Sequence, residues 1–234
     1  MTKAHLKRLP APRSWRIKRK NISFITRPKP GAHMLSSSIP LKLVLHFIGK
    51  TKTSREASYI LHNHEVLVDM KKRRDLAFPV GLFDIVSFPE IKESYLGIFN
   101  KQGQLKFVKS SEDMKSKLLK ISNKNKIKGN KIQLTTICGR NILVDDKTAA
   151  KYGISDTIRI ELPEQKIIDH KKIEVGAKVF LIKGGHTGFI ANIEDIKGKV
   201  IICKEDNMSF ETRKDFAFVI DDKIEKLIIS ANKD

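Results

Sequence analysis

The pattern of apolar and polar positions divides the chain into four stretches. Residues 1 to about 40 show no sustained period, and Pro10, Pro12, Pro28 and Pro30 break any long amphipathic helix there. From Pro40 the pattern becomes helical: Leu41, Val44, Leu45 and Ile48 recur at three- and four-residue spacing, Pro40 suits a first turn, and Gly49 suits the position after the last. A second helix is predicted from Thr53, where Thr53-Ser54-Arg55-Glu56 fits a capping box and Ala57, Ile60 and Leu61 supply the apolar face. "EVLVDM" then alternates like a strand, "KKRRD" is a charged turn, and "AFPVGLFDIVSF" reads as a tight turn and a further strand.

From Ile91 to Lys172 the pattern is one of short strands and turns. "YLGIFN-KQGQ-LKFVK" reads as a hairpin, "DMKSKLLKISNKNKIKGNK" carries seven lysines, and "KIQLTTICGRNILVDD" reads as two strands around a turn at Gly139. From Ile173 onward about five short strands broken by glycines suggest a small barrel, and the last residues carry no signal. The expected fold class is α+β and multi-module: an extension over 1–40, a small α/β domain over 41–90, a mostly-β central domain over 91–172, and a small barrel with a short tail over 173–234.

Charge changes this picture most at the N-terminal end. Of 234 residues, 46 are Lys or Arg and 26 Asp or Glu, a net +20, and the first acid is Glu56, after fourteen cations. Such a block repels itself. The extension is therefore expected to be disordered alone and ordered on a polyanion. No amphipathic apolar face accompanies the charge, which disfavours a membrane surface; nucleic acid, whose bound counterions are released by many spaced cations, is the better partner. The Lys-rich stretch, free of acids from Met114 to Val144, is expected to be a second phosphate-facing surface. Trp15, set among cations, is placed either to stack on a base or to anchor the extension to the body. No stretch approaches eighteen continuous apolar residues, and the N-terminus lacks the apolar core of a secretory signal. Cys138 and Cys203 stand alone, as buried apolar residues of a reducing compartment would.

"GKTKTSRE" raises the question of a nucleotide site. A phosphate loop needs Gly five positions before Gly49, and Val44 stands there, followed by bulky apolar residues. The start of the second helix, with Lys50, Lys52 and Arg55 around its amide groups, suits a nucleic-acid phosphate better.

"KTSREASYILHNHEVLVDMKKRRDLAFPVGLFDIVSF" resembles the S4-type RNA-binding domain: Ser54, Arg55, Ser58 (in place of the usual Ala), Val66, Val68 and Asp69, then Pro79, Phe83, Asp84 and Val86. "HLKRLPAPRSWRIKRK" with "TRPKPGAHMLSSSIPL" resembles the N-terminus of the archaeal and eukaryotic small-subunit ribosomal protein of the four-e type. "FNKQGQLKFVKS" and "KIQLTTICGRNI" resemble that family's central domain in the same order. "VFLIKGGHTGFIANI" resembles its SH3-like KOW element through Val179, Leu181, Gly184, Gly188 and Ile193. Ala191 replaces a glycine there, so a reshaped turn is expected. The length suits an archaeal-type member.

The resemblance implies a structural constituent of the small ribosomal subunit. It would be cytoplasmic and partnered by small-subunit rRNA and neighbouring ribosomal proteins, with no membrane, small-molecule substrate, cofactor or metal. Charge and resemblance together nominate RNA-binding residues. In the extension they are Lys3, Lys7, Arg8, Arg13, Trp15, Arg16, Lys18, Arg19, Lys20, Arg27 and Lys29. At the helix junction they are Lys50, Lys52, Thr53, Ser54 and Arg55, with His62 at the far end of the second helix. Beyond it come Lys71, Lys72, Arg73 and Arg74, then Lys124, Lys126 and Lys128, then Lys183, Gly184, Gly185 and His186 of the Gly-rich turn.

No catalytic residue is expected. His62 and His64 lack a third ligand, and the neighbours in Asp145-Asp146 and Asp221-Asp222 diverge. The alternatives are an RNA-modifying enzyme, for which too little chain remains, and a transcription factor built on the KOW element, which would not need so many cations before its first acid.

Overall fold

The computed structural model describes residues 5–110, 114–129, 131–205 and 208–233. It divides into two compact units, the first running to Lys115 and the second beginning at Ser116. Lys3 lies outside the described residues.

In the first unit, β1 (Leu6–Lys7) pairs antiparallel with β2 (Phe24–Ile25), closing the N-terminal arm on itself. The strand β3 (Ser38–Pro40) leads into α1 (Leu41–Phe47) and α2 (Ser54–Asn63). Leu41, Val44 and Leu45 of α1 and Ala57 and Leu61 of α2 are buried, as their spacing predicts. There follow β4 (Leu67–Val68), β5 (Lys71–Lys72), β6 (Pro79–Gly81), β7 (Ile85–Phe88), β8 (Glu93–Phe99) and β9 (Leu105–Ser110). Five of these form one sheet in the order β5-β4-β7-β8-β9, while β6 pairs with β3. The hairpin β8–β9, expected to open the central domain, instead extends this sheet. A single 3₁₀ turn at Pro89–Ile91, with Lys92 at φ 51°, reverses the chain so that Glu93 pairs with Phe88 and Leu96 with Ile85. The first unit therefore continues past position 90, to Lys115.

The arm is not the loose extension its composition suggests. Trp15 is 2% exposed, and its Nε1–H donates to the Ser38 carbonyl at 2.7 Å. The Ser14 hydroxyl donates to the Ser36 carbonyl, and the amide of Leu105 to the Ser14 carbonyl. The Arg19 guanidinium donates to the carbonyls of Leu9, Ala11 and Pro12. Farther on, His33 Nε2 lies 2.9 and 3.0 Å from the two carboxylate oxygens of Asp84, which also accepts the Gly81 amide. This seat depends on missing side chains. A Cβ on Gly81 would lie 2.5 Å from the His33 ring, and one on Gly97 would lie 2.6 Å from the Gly81 carbonyl.

The second unit begins with β10 (Ser116–Ile127), β11 (Lys131–Thr136) and β12 (Asn141–Asp145), then the single-turn α3 (Asp146–Ala149), β13 (Thr157–Glu161) and β14 (Ile167–Lys171). These strands form a sheet in the order β12-β11-β10-β13-β14. The Lys-rich stretch, expected to face phosphate along its length, supplies the twelve-residue central strand β10. Its lysines are sorted by the pleat, and Lys117 and Lys120 are buried. Lys120 Nζ donates to the carbonyls of Lys214 (2.7 Å) and Ala217 (2.5 Å), tying this sheet to the next.

That next sheet comprises β15 (Lys178–Leu181), β16 (Ile190–Lys197), β17 (Val200–Glu205), β18 (Met208–Arg213) and β19 (Ala217–Val219), in the order β18-β17-β16-β15-β19. Val179, Leu181, Ile193, Ile201, Cys203 and Val219 fill its core. Ala191 does not sit in a turn: it lies in β16 opposite Val179, with its methyl group buried in that core. The chain closes with α4 (Asp222–Lys233), a helix where the sequence reading saw only barrel strands and a featureless tail. Ile224, Leu227 and Ile228, at helical spacing, were the missed signal, and Ile224 and Ile228 are buried.

Because Trp15 is the only tryptophan, the arm carries its own reporter. Emission of the free protein is expected to be blue-shifted and resistant to acrylamide, and Trp15→Ala to destabilise the first unit by about 3–5 kcal/mol in urea unfolding. A red, freely quenched emission without RNA would mean that the arm is undocked. A second expectation concerns pH. Burial pushes the Lys120 ammonium down to about 7, partly opposed by nearby Asp215. Between pH 7 and the ordinary lysine range only the unfolded chain is protonated at this position, so its contribution raises stability as pH rises. The stability difference between the native chain and Lys120→Met should therefore shift in favour of the native chain across this window; a pH-independent difference would refute the assignment.

Candidate nucleic-acid interface

In the first unit the folded arm and the α1–α2 junction enclose an open groove of about 990 Å³. The arm contributes Arg8, Arg16, Lys18, Arg27 and Lys29 to its walls; α1 contributes Lys42, and the start of α2 contributes Lys52, Thr53 and Ser54. No Asp or Glu is among the described residues lining it. Cations from segments far apart in sequence thus face one space, and their potentials add over distances within the Debye length of about 8 Å. Lys42 and His46 were not singled out in the sequence. They stand four residues apart on the side of α1 away from Leu41, Val44 and Leu45, and that spacing was the available signal. His46 Nδ1–H donates to the Thr51 carbonyl at 3.0 Å and fixes the link between the two helices.

Acids elsewhere in this unit take up particular cations. Lys29 pairs with Asp75 at 2.6 Å. Glu93 bridges Lys109 (2.6 Å) and Lys50 (2.5 Å), and these two ammonium groups hold its carboxyl down at about 2. Lys50, expected to face phosphate, is therefore half-buried and engaged within the protein.

The helix start is likewise occupied. The Thr53 hydroxyl accepts the Glu56 amide at 3.2 Å, and Glu56 Oε2 accepts the amides of Lys52 (2.8 Å) and Thr53 (3.4 Å). The capping box forms as predicted, and through it Glu56 supplies an anion where a phosphate was expected. The Lys52 amide bond, with the Thr53 hydroxyl, holds the Glu56 carboxyl below its usual range. What this corner leaves exposed is the side chains of Lys52 and Arg55, with the amide groups of Lys52, Thr53 and Glu56 already used.

The other nominated residues are spread over the surface or tied into the fold. Lys7, Arg13, Arg16, Lys18 and Lys20 are exposed, whereas Trp15 is an anchor with no face left for a base. Arg8 donates to the Lys18 carbonyl, and Arg19 is spent on backbone carbonyls. His62 is exposed at the end of α2, donating to the Ser58 carbonyl, while His64 pairs with Glu90. Lys71, Lys72 and Arg74 are exposed, and Arg73 stacks on Phe78 at 4.4 Å. In the second unit Lys124 Nζ donates to the carbonyls of Ala149 and Tyr152, closing the end of α3. Lys126 lies 4.0 Å from Asp146, and Lys128 is exposed. The turn at Lys183, Gly184, Gly185 and His186 is exposed, with Gly184 at φ 95° and Gly188 at φ 88°. His186 stacks on Phe210 with ring centroids 4.0 Å apart.

Comparison with known proteins bears on this surface. The family model described as "Ribosomal family S4e" matches residues 91–167, and that described as "RS4NT (NUC023) domain" matches 2–36. The small ribosomal subunit protein eS4 of Methanocaldococcus jannaschii is 41% identical to this chain, covering 94% of it and 95% of that protein. The protein of the same name from Archaeoglobus fulgidus is 36% identical, covering 95% of each. Among solved structures, the crystal structure of the 30S ribosomal protein S4e from Thermoplasma acidophilum superposes with a TM-score of 0.66 at 31% identity, covering 79% of this chain and 94% of that one.

The capping arrangement makes a prediction. Glu56→Ala should lower the urea midpoint, because it removes one half of the capping box. It should also tighten nucleic-acid binding a few-fold at low salt, because it removes a negative charge beside Lys52. Weaker binding by the folded variant would mean that Glu56 helps to present Lys52 to the ligand.

Proposed function

The chain belongs to the small ribosomal subunit protein eS4 family, and on that membership we propose that it is a structural constituent of the small ribosomal subunit that binds and stabilises small-subunit rRNA. It works in the cytoplasm as part of the subunit, beside neighbouring ribosomal proteins. Its role is binding, with no reaction to catalyse. An RNA-modifying enzyme and a polymerase-bound factor, the other readings of the sequence, are displaced by the family match over nearly the whole chain.

The observation that carries the binding reading is the groove free of acids. Its cations come from three separate segments, and the arm that supplies most of them is docked through the buried Trp15 indole. Such an arrangement fits a folded polyanion read by shape and backbone charge. We read α1, α2, β4, β6 and β7 as an S4-type module. Two motif acids support this: Asp69 accepts the Ile85 amide, and Asp84 accepts the Gly81 amide. We read β15–β19 as the KOW module, supported by its five-stranded order and the left-handed glycines of its first loop. The exposed Lys183–His186 turn is a second, smaller RNA contact in this reading.

Two measurements test it. The protein should cosediment with the small subunit at high salt. Affinity for small-subunit rRNA should also fall with salt: six groove cations, leaving out Lys29, which pairs with Asp75, at about 0.7 to 0.9 per phosphate, give a log–log slope of roughly −4 to −5. Lys18→Glu and Lys52→Glu should each flatten the slope by about 1, whereas Lys197→Glu, at the end of β16 and part of neither proposed contact, should not. A native slope shallower than about −2 would remove phosphate neutralisation as the basis of binding.

A further inference from the structure

The cationic walls of the groove stand over an apolar floor that phosphate binding does not use. Phe24 is 55% exposed and Ile22 69% exposed, and both line it, with Ile17, Leu43 and Phe47 beside them. The pairing of β1 with β2 explains why Phe24 is outside. Ile25 turns inward and is buried, so the pleat sends Phe24 outward, opposite Lys7 in register. The ring of His5 meets Phe24 edge-on at 5.7 Å and leaves the Phe24 ring part-exposed within the groove.

Resting on the rRNA reading, we propose that this groove takes an unpaired RNA strand, with Phe24 as the platform on which an unstacked base lies. An A-form duplex keeps its bases stacked inside and presents phosphates and sugars, which satisfy the cations but leave the apolar floor wet. A single strand satisfies both. Its phosphates meet Arg16, Lys18 and Lys52 on the walls, and a base offers a flat face to the Phe24 ring. The groove volume is at the upper end of the roughly 300–1,000 Å³ typical of small-ligand sites, enough for a nucleotide and its backbone. The absence of a carboxylate among the described lining residues favours an anionic strand over a protein segment.

The test uses the full chain and fluorescence anisotropy at near-physiological salt, with a labelled unstructured RNA and a hairpin of equal length as probes. The native chain should bind the unstructured RNA more tightly. Phe24→Ala should weaken that binding about five- to a hundredfold while leaving the hairpin within about twofold, and Phe24→Tyr should restore it. Phe24→Leu, apolar but not planar, should fall between. Unchanged Trp15 emission in each variant establishes that the arm is still docked. Equal loss on both probes, or no loss on either, overturns the platform while leaving rRNA binding and its salt slope in place. Failure of the native chain to bind small-subunit rRNA at all would instead overturn the reading beneath it. Phe24→Ala that binds every RNA normally but loses a neighbouring subunit protein on reconstitution would make this floor a protein contact and also overturn the proposal.

Discussion

Ten cations in the first forty residues repel one another, so holding this segment against a folded body takes more than ion pairs such as Lys29–Asp75. The indole of Trp15 supplies the largest uncharged contact, because it buries a wide apolar surface while its single polar group is satisfied by Ser38. Arg19 shows the complementary solution. Its guanidinium faces three carbonyl oxygens of its own arm, so a positive charge becomes the internal support of the segment. With these contacts in place, the remaining cations project from a fixed backbone. Without them there would be basic residues but no groove.

The acids of this unit are placed as economically as the cations. Glu93 takes Lys50 and Lys109, Asp75 takes Lys29, and Glu56 takes the helix start. Self-repulsion is thereby relieved outside or at the edge of the groove, and the described residues within it keep their positive potential. The second unit uses its lysines differently: Lys120 and Lys124 donate to backbone carbonyls and so join elements of the fold.

Local signals were legible where one short stretch carried them. The spacing of Leu41, Val44 and Leu45, the capping box at Thr53 and the glycines of the Gly-rich turn each describe a structure that closes within a few residues. The failures share the opposite property. Whether Trp15 faces RNA or Ser38, and whether Lys120 meets solvent or the Ala217 carbonyl, is decided by partners 23 and 97 residues away. A lysine-rich strand looks like a phosphate-facing surface throughout because composition records charge without recording which side of a pleat it occupies. The groove was illegible for the same reason: its cations were all visible, but only the docking of the arm brings those of positions 8 to 29 opposite Lys42 and Lys52.

The seating of the arm also bears on the order in which the chain is made. His33 rests on Gly81 and Asp84, and the Ser14 carbonyl receives the amide of Leu105. During synthesis the basic arm leaves the exit tunnel before the residues that will hold it have been translated. Until the ninth strand has emerged, the arm is a polycation without its full seat, close to the RNA of the translating ribosome. The separation of Ser14 from Leu105 along the chain sets the length of that interval.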